Sequence, residues 1–326
     1  MSKIRVRVAV VAMVLVGCFG LTALGQITTT SVAKKTEKVD NTPYDSLQNF
    51  LGKDVHKYIG QEFYLNEKHT NLRKYGYKGL IIDYTKNDKE KSNIYKPIND
   101  MYAFASDYDL VSGKYFTVLD VIKHPKGDND DISDKYLYGD VYFIKLKEKE
   151  SGDVLYYKYN TEFKNNFDFI VVGYFIKQKE LNIGKEFVSR RTIKTEKEVT
   201  DIVTGKPIKW ESNIKWRCID VTIEEKYYTV SMIIENDKNE KVATLIGSAN
   251  YLFSSEDAVK YEKKFGKEKW LKILNGSINN GYTEEMVRLA WGEPNKINRS
   301  STGEQWVYGE STYLYFDVKG LLTGFN

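Results

Sequence analysis

The sequence has few of the residues that carry most enzyme chemistry, with only two cysteines and three histidines among 326 residues. It contains no His-Glu-x-x-His pair, no Cys-x-x-Cys pair, no Gly-x-Ser-x-Gly turn and no glycine-rich phosphate loop. These absences exclude the usual signatures of zinc proteases, dithiol sites, α/β-hydrolases and P-loop nucleotidases. We therefore predict that the chain is not an enzyme and has no catalytic residue, cofactor or metal site.

The few reactive side chains lie in settings typical of structural residues. His56, His69 and His124 are scattered over a predicted helix end and two predicted loops, which is the pattern of surface histidines. Cys218 lies in the alternating stretch 216–221, where a cysteine that faces the core behaves as a small hydrophobic residue. A nucleophilic cysteine would need a nearby base and an exposed, positively charged setting. We interpret Cys218 as a packing residue.

An acidic cluster is the one candidate for metal binding. It consists of Asp128, Asp130, Asp131 and Asp134. The first two fit the start of an oxygen-rich calcium loop, but the glycine and the closing glutamate that such a loop requires are absent. We predict a solvated loop here.

Residues 1–25 have the pattern of a signal peptide. Lys3, Arg5 and Arg7 form a basic start, and an almost unbroken apolar run follows from Val8 to Leu24. Small residues at the end of this run are typical of a signal-peptidase site, which would leave Gln26 as the first mature residue. The pattern predicts export to the periplasm or the outer membrane.

A second reading of the same segment is lipidation. Residues 15–18, Leu-Val-Gly-Cys, fit the bacterial lipobox, which would make Cys18 an acylated N-terminus. The apolar run continues beyond Cys18, whereas a lipoprotein usually becomes polar after its cysteine, so we favour simple cleavage. Both readings place the protein outside the cytoplasm, and membrane association follows only if Cys18 is lipidated.

The charge balance gives no reason to expect a nucleic-acid partner. Removal of residues 1–25 takes away three positive charges and no negative ones, so the net charge falls from +4 to +1. Residues 26–42, which are rich in Thr, Ser and Lys, predict a flexible tether. Only Cys218 would remain as a free thiol, which excludes an internal disulfide, so a core must hold the mature chain together. With 41% hydrophobic residues and 25 tyrosines, the sequence can supply one.

From residue 59 the chain is rich in strand patterns and contains a repeat. Four landmarks recur in the same order: Ile59–Phe63 with Ile183–Phe187, Val111–Lys114 with Val203–Lys206, Leu119–Val121 with Ile219–Val221, and a hairpin turn at Ser151–Asp153 with one at Asn236–Asn239. We predict two β-rich modules, residues 43–168 and 169–250, related by duplication. The alternative is one large mixed β domain in which Gly-Lys turns are common.

Tyrosines are abundant on the predicted strands of both modules. Those at Tyr156, Tyr157, Tyr159, Tyr227 and Tyr228 are the clearest examples. Aromatic residues are favoured in strands, so we predict core and cross-strand packing for them. A run of exposed tyrosines could instead stack on sugars or cover a partner protein.

Residues 251–326 predict a small helical and β-stranded domain. Residues 254–275 have helical spacing, with a cap at Ser254 and a break at Gly266. Thr283 can cap a further short helix, which Gly292 can end. The remaining strand patterns predict a three-strand meander, giving an α+β fold in which two β-rich modules precede this domain.

The order of parts in residues 281–326 resembles the SmpA/OmlA family, the BamE-like small lipoprotein domain of bacterial outer membranes. The residues that carry the resemblance are Gly281, Thr283, Glu285, Val287, Gly292, Pro294, Trp306 and Tyr308, with Tyr282 where the family usually has Met. The resemblance implies an α+β fold, a place in the cell envelope, and binding or assembly rather than catalysis.

Four aromatic residues are the candidate contacts for a partner, which we expect to be another envelope protein. They are Trp306, Tyr308, Tyr313 and Tyr315, on adjacent predicted strands. Strand alternation should turn some of them outward, and exposed aromatic patches are typical of interface hot spots. The alternative function is binding of an extracellular glycan or peptide through tyrosine-rich sheet surfaces.

Overall fold

The computed structural model describes residues 44, 46–100, 104–191, 198–225, 228–246 and 251–326. They form an α+β fold with three antiparallel sheets of six, five and four strands and a two-stranded ribbon, which confirms the predicted class. The predicted signal segment, the tether, Cys18 and Tyr227 lie outside the described residues. Within the described ranges, no helix has both the length and the apolar character needed to cross a bilayer.

The first sheet has the strand order β2-β5-β4-β3-β1-β6. Its strands are β1 (Glu62–Leu65), β2 (Leu80–Ile81), β3 (Tyr115–Lys123), β4 (Val141–Glu148), β5 (Val154–Asn160) and β6 (Phe169–Val171). The connections carry helices α1 (Thr70–Arg73), α2 (Tyr108–Val111) and α3 (Ile132–Tyr138), and 3-10 turns span Gly52–Tyr58, Lys91–Asn93 and Lys164–Asn166. Tyr157 and Tyr159 are buried in the core of this sheet, as predicted, while Tyr156 is half-buried.

The second sheet has the order β12-β11-β10-β7-β13. Helix α4 (Val172–Asn182) precedes it, and its strands are β7 (Glu186–Ser189), β10 (Lys215–Glu224), β11 (Thr229–Asn236), β12 (Lys241–Leu245) and β13 (Leu252–Ser254), while β8 (Glu198–Thr200) and β9 (Pro207–Lys209) form the separate ribbon. Phe175 of α4 is fully buried in the same cluster as Tyr64 of the first sheet and Trp216 of the second. Residues of both sheets therefore pack with α4 in one apolar cluster, while most of the first sheet's buried residues form a separate cluster.

The first two sheets repeat one arrangement of strands. Five strands have the order β5-β4-β3-β1-β6 in the first sheet and β12-β11-β10-β7-β13 in the second, so they correspond in chain order. Each long central strand has an irregularity at the same place, between Val118 and Asp120 and between Cys218 and Asp220. In both copies the aspartate accepts a hydrogen bond of 2.8 Å from the next backbone N–H. This shared geometry supports the predicted duplication.

The hairpin turns of the two sheets also correspond. Glu148 pairs with Phe116 in the first sheet, as Asn236 pairs with Trp216 in the second. Each of the two polar side chains accepts hydrogen bonds from two backbone N–H groups of the turn that follows it. The Glu148 carboxylate in one copy and the Asn236 amide in the other therefore both stabilise the hairpin turn by accepting hydrogen bonds from its backbone N–H groups.

One of the four predicted landmarks is wrong. Gly113, which the sequence aligns with Gly205, instead has its counterpart at Asn213. The backbone N–H groups of Gly113 and Asn213 donate to Leu65 O at 3.0 Å and to Ser189 O at 2.8 Å, and their φ angles are 71° and 63°. Gly205 lies in the turn of the β8–β9 ribbon, where Gly-Lys is ordinary turn chemistry.

The C-terminal region contains three helices and a four-stranded meander. Its elements are α5 (Ser255–Phe265), α6 (Lys267–Leu274), α7 (Glu284–Trp291), β14 (Lys296–Ser300), β15 (Gly303–Tyr308), β16 (Thr312–Phe316) and β17 (Leu322–Phe325). The predicted break is confirmed, since Gly266 has a φ of 82° between α5 and α6. Thr283 Oγ1 accepts a hydrogen bond of 3.3 Å from Met286 N, which confirms the predicted cap. The meander has one strand more than predicted, namely β14.

The C-terminal region joins the second sheet without a linker. Ser254 is both the last residue of β13 and the capping residue of α5, where its hydroxyl accepts a hydrogen bond of 3.0 Å from Asp257 N. Buried Arg190, next to β7, donates a hydrogen bond to Leu289 O of α7, and its guanidinium lies 4.5 Å from the ring centre of Phe253. Strand β6 pairs with the first sheet and strand β13 with the second, and each strand follows directly after a predicted module boundary.

Candidate partner-binding face of the C-terminal sheet

Two of the four predicted contact residues are core residues. Trp306 is fully buried, with its ring 4.4 Å from that of Phe316 and the guanidinium of Arg288 at 4.2 Å from its centre. Tyr308 is also buried, and its hydroxyl donates a hydrogen bond of 2.7 Å to Gly292 O. Both side chains pack on the inner face of the sheet, in the same core as residues of helix α7. Their burial therefore excludes them from a surface contact in this fold.

The other two aromatic residues lie on the opposite face of the same sheet. Tyr313 and Tyr315 alternate with buried Leu314 on β16, and Tyr315 is 42% exposed. In the strand register Tyr313 lies opposite Val307, and Tyr315 lies opposite Gln305. This face, which we call the outer face, consists of Asn298, Gln305, Val307, Tyr313 and Tyr315.

Polar side chains on the outer face form a hydrogen-bonded row across three strands. Asn298 Nδ2 on β14 donates to Gln305 Oε1 on β15 at 2.9 Å. Gln305 Nε2 then donates to the hydroxyl of Tyr315 on β16 at 3.3 Å. The row links the side chains of the three strands and gives both the Gln305 amide and the Tyr315 hydroxyl a partner within the face.

The next strand leaves space beside the Tyr315 ring. Gly324 on β17 lies opposite Tyr315, and no heavy atom comes within 4 Å of the position that a Cβ would occupy there. The side of Tyr315 that faces β17 is therefore open. An aromatic ring with an open flank and amides within hydrogen-bonding distance can contact either a protein surface or a sugar ring.

A charged residue lies at the border of the outer face, while the ion pair nearest to its centre lies on the opposite face of the sheet. Lys296 is exposed and lies opposite Val307, at one end of the outer face. On the opposite face, Arg299 Nε forms an ion pair of 2.8 Å with Glu304, whose carboxylate also accepts a hydrogen bond of 2.8 Å from Trp306 Nε1. Both contacts lower the pKa of Glu304, the larger contribution coming from the Trp306 hydrogen bond. The centre of the face is uncharged, as in the central parts of protein interfaces.

Cys218 and the three histidines all lie among the described residues. Cys218 is buried on β10, and burial raises the pKa of its thiol to about 11, so it packs as a protonated residue. His56 and His69 are exposed, whereas His124 is half-buried and stacks on Tyr138 with 4.2 Å between ring centres. Among the described residues, no group of three or more His, Cys, Asp or Glu side chains is placed to hold a metal ion.

Three residues of the acidic cluster, Asp128, Asp130 and Asp131, are exposed, as predicted for a solvated loop, whereas Asp134 lies in helix α3, which the sequence did not predict. Asp128 and Asp134 form ion pairs with Lys123 and Lys126, respectively. Asp131 caps helix α3 by accepting hydrogen bonds from two backbone N–H groups, at 2.7 and 3.2 Å. Backbone hydrogen bonds of this kind lower the pKa of Asp131 and keep it ionised. The cluster therefore begins and orients a short helix.

Sequence reasoning missed the amide half of the outer face. Asn298 belongs to β14, an edge strand whose sequence, Lys-Ile-Asn-Arg-Ser, has a single apolar residue. That residue, Ile297, lies opposite Trp306, and its place between two polar neighbours is the only signal of a strand.

Comparison of the chain with protein-family models, curated proteins and solved structures finds no match.

Proposed function

We propose that the chain is a non-enzymatic cell-envelope protein that binds another protein through the outer face of its C-terminal sheet. The observation that carries this proposal is the outward pair Tyr313 and Tyr315 beside the hydrogen-bonded amides of Asn298 and Gln305. Tyrosine supplies a large contact area at a low cost in conformational entropy, and asparagine supplies adaptable hydrogen bonds, as in antibody combining sites. The resemblance of residues 281–326 to BamE-like domains is consistent with this role.

A crosslinking pull-down from the native envelope tests the proposed surface. We expect the variant carrying both Tyr313→Ala and Tyr315→Ala to lose the partner, with affinity at least about tenfold weaker, because exposed aromatic anchors dominate interface energies. Tyr75→Ala is the matched control, since Tyr75 is 58% exposed on the first module. Recovery of the same partners by wild type and by the double variant would rule out the outer face as the binding surface.

The outer face also fits a second candidate function, binding of an extracellular glycan or peptide. The Tyr315 ring borders Gly324 and lies beside amides that could pair with sugar hydroxyls. A glycan array that gives signal with the wild-type chain and none with the double tyrosine variant would favour this candidate over protein binding.

Export rests on the sequence of residues 1–25 and has its own test. We expect fractionation of producing cells to place the chain in the envelope, shortened at its N-terminus. A fatty-acid probe, with and without Cys18→Ala, distinguishes the two processing routes, because only a lipoprotein loses its label in the variant. Recovery of the intact chain from the cytosol, with its first 25 residues still attached, would contradict export.

A further inference from the structure

Helix α3 (Ile132–Tyr138) has the reverse of the usual orientation for a surface helix. None of its seven residues is buried. A helix on a globular domain normally turns its apolar stripe toward the core. Here Ile132 is 86% exposed, Tyr136 is 88% exposed and Leu137 is 59% exposed. Single exposed apolar residues are common, but three on one short helix are not explained by packing within this chain and call for a contact outside it.

The opposite side of the helix attaches it to the first sheet. The Tyr138 ring stacks on His124, with 4.2 Å between ring centres and 9° between ring planes. Asp134 forms an ion pair of 3.7 Å with Lys126 and accepts a hydrogen bond of 2.9 Å from Asn129 Nδ2. The contacts hold the helix by its polar side and leave the apolar side in solvent. At 100° per residue, Ile132 and Tyr136 point about 40° apart, with Leu137 about 100° beyond Tyr136.

We propose that helix α3 docks into an apolar groove of a second protein, and that the groove has basic residues at the end that receives the helix N-terminus. The helix spans about 10 Å, so its patch is small. Two such helices side by side would bury far less than the roughly 1,200 Å² that a stable dimer needs. A groove that encloses the helix covers more of each side chain, and anchors at i and i+4 are typical of helix-in-groove recognition.

The negative charge around the N-terminus of α3 indicates that the partner carries basic residues there. Asp130 and Asp131 are exposed, and within the described ranges neither forms an ion pair, whereas Asp128 and Asp134 are each paired with a lysine. The exposed carboxylates would repel an anionic membrane surface. They would attract Lys or Arg at one end of a groove, which fixes the direction in which the helix enters.

The test begins with a photo-crosslinking amino acid placed at Tyr136 in the full chain, in producing cells. The same amino acid at Phe163, which is 55% exposed in the same module, is the control. We expect one protein to be captured from position 136 and not from position 163. Capture of only a second copy, only lipid, or the same products from both positions would overturn the proposal.

The captured protein is then purified and titrated with variants of the full chain. We expect Tyr136→Asp to weaken binding at least tenfold, and Asp130→Lys to weaken it severalfold and reduce its salt dependence. Since no residue of α3 is buried, circular dichroism and the melting temperature should match those of wild type. Phe163→Ala should bind as wild type, because Phe163 is exposed but lies outside helix α3 and outside the outer face. Unchanged affinity in Tyr136→Asp would overturn the proposal.

Discussion

Replacement of Trp306 by alanine is expected to unfold the C-terminal sheet, lowering its free energy of unfolding by about 3–5 kcal/mol. Trp306 is fully buried, packs on Phe316 and lies under the Arg288 guanidinium. The substitution leaves a large cavity between α7 and the sheet, and it frees Arg288 and Glu304 from their contacts with the ring. Amide hydrogen exchange of residues 281–326 measures the effect locally, which matters because a chain with three sheets need not unfold in one step.

The control for this prediction is Tyr315→Ala on the same sheet. Tyr315 faces solvent, so its removal should change stability by no more than about 0.5 kcal/mol. Equal protection of the C-terminal amides in Trp306→Ala and wild type would contradict the assignment of Trp306 to the core. It would also reopen Trp306 as a partner contact.

Glu148→Ala is expected to destabilise the first sheet by about 2–3 kcal/mol, because charged hydrogen-bond acceptors in buried positions are costly to remove. The side chain is fully buried. Its two carboxylate oxygens accept hydrogen bonds of 2.9 Å from the backbone N–H groups of Glu150 and Ser151, and Lys114 lies at 3.6 Å. Thermal and urea unfolding, followed by exchange of the β4 and β5 amides, measures the loss.

The same carboxylate should make stability depend on pH. Burial alone would raise the pKa of Glu148, but the hydrogen bonds from Ser151 and Glu150 and the charge of Lys114 outweigh it and hold the pKa below its ordinary value of 4.5. A carboxyl group whose pKa is lower in the folded state contributes its full stabilisation of the fold when the pH lies above its pKa in the unfolded chain. This stabilisation is lost as the pH falls through the folded value. Glu148→Gln should therefore flatten the acid side of the stability profile.

Glu150→Ala is the control, since its side chain is 82% exposed and forms an ion pair with Lys114. An exposed ion pair contributes between about 0 and 1 kcal/mol. Equal acid sensitivity of Glu148→Gln and wild type would show that other carboxylates govern acid unfolding. In the second sheet the acceptor of the two turn N–H groups is the amide of Asn236, which does not titrate, and this amide in turn donates a hydrogen bond of 2.7 Å to the Glu240 carboxylate.

Local chemistry made much of the C-terminal region predictable from sequence. Thr283, Gly266 and Gly292 act through their own hydroxyl or backbone conformation, and each has the role that its residue type favours. The inner and outer faces of β16 were partly predictable, because alternation fixes that Tyr313 and Tyr315 share a face. Which face meets the helix depends on the whole unit, and strand periodicity alone does not determine it.

Helices and strands with little buried surface could not be predicted from the sequence, because the periodic spacing of apolar residues shows only which elements face a core. Strand β14 has one apolar residue, and α3 points its apolar residues into solvent, so neither gives a core-facing pattern. The carboxylates around α3 resembled a calcium loop because Asp is favoured both at helix caps and in metal loops. The mistaken Gly205 landmark has a similar cause, since Gly-Lys suits many turns and only hydrogen-bond partners identify Asn213 as the true counterpart.

The shared residue at Ser254 limits how the C-terminal region could have been exchanged during evolution. A domain that is exchanged between genes needs a boundary at which the chain can be divided without interrupting a helix or strand on either side. Here the last residue of an edge strand is also the cap of the next helix, and Arg190 reaches across to α7. Removal of residues 281–326 would expose Trp270, Ile273 and Leu274, which pack in the same core as the final sheet. The second sheet and the C-terminal region are therefore expected to be inherited as one unit.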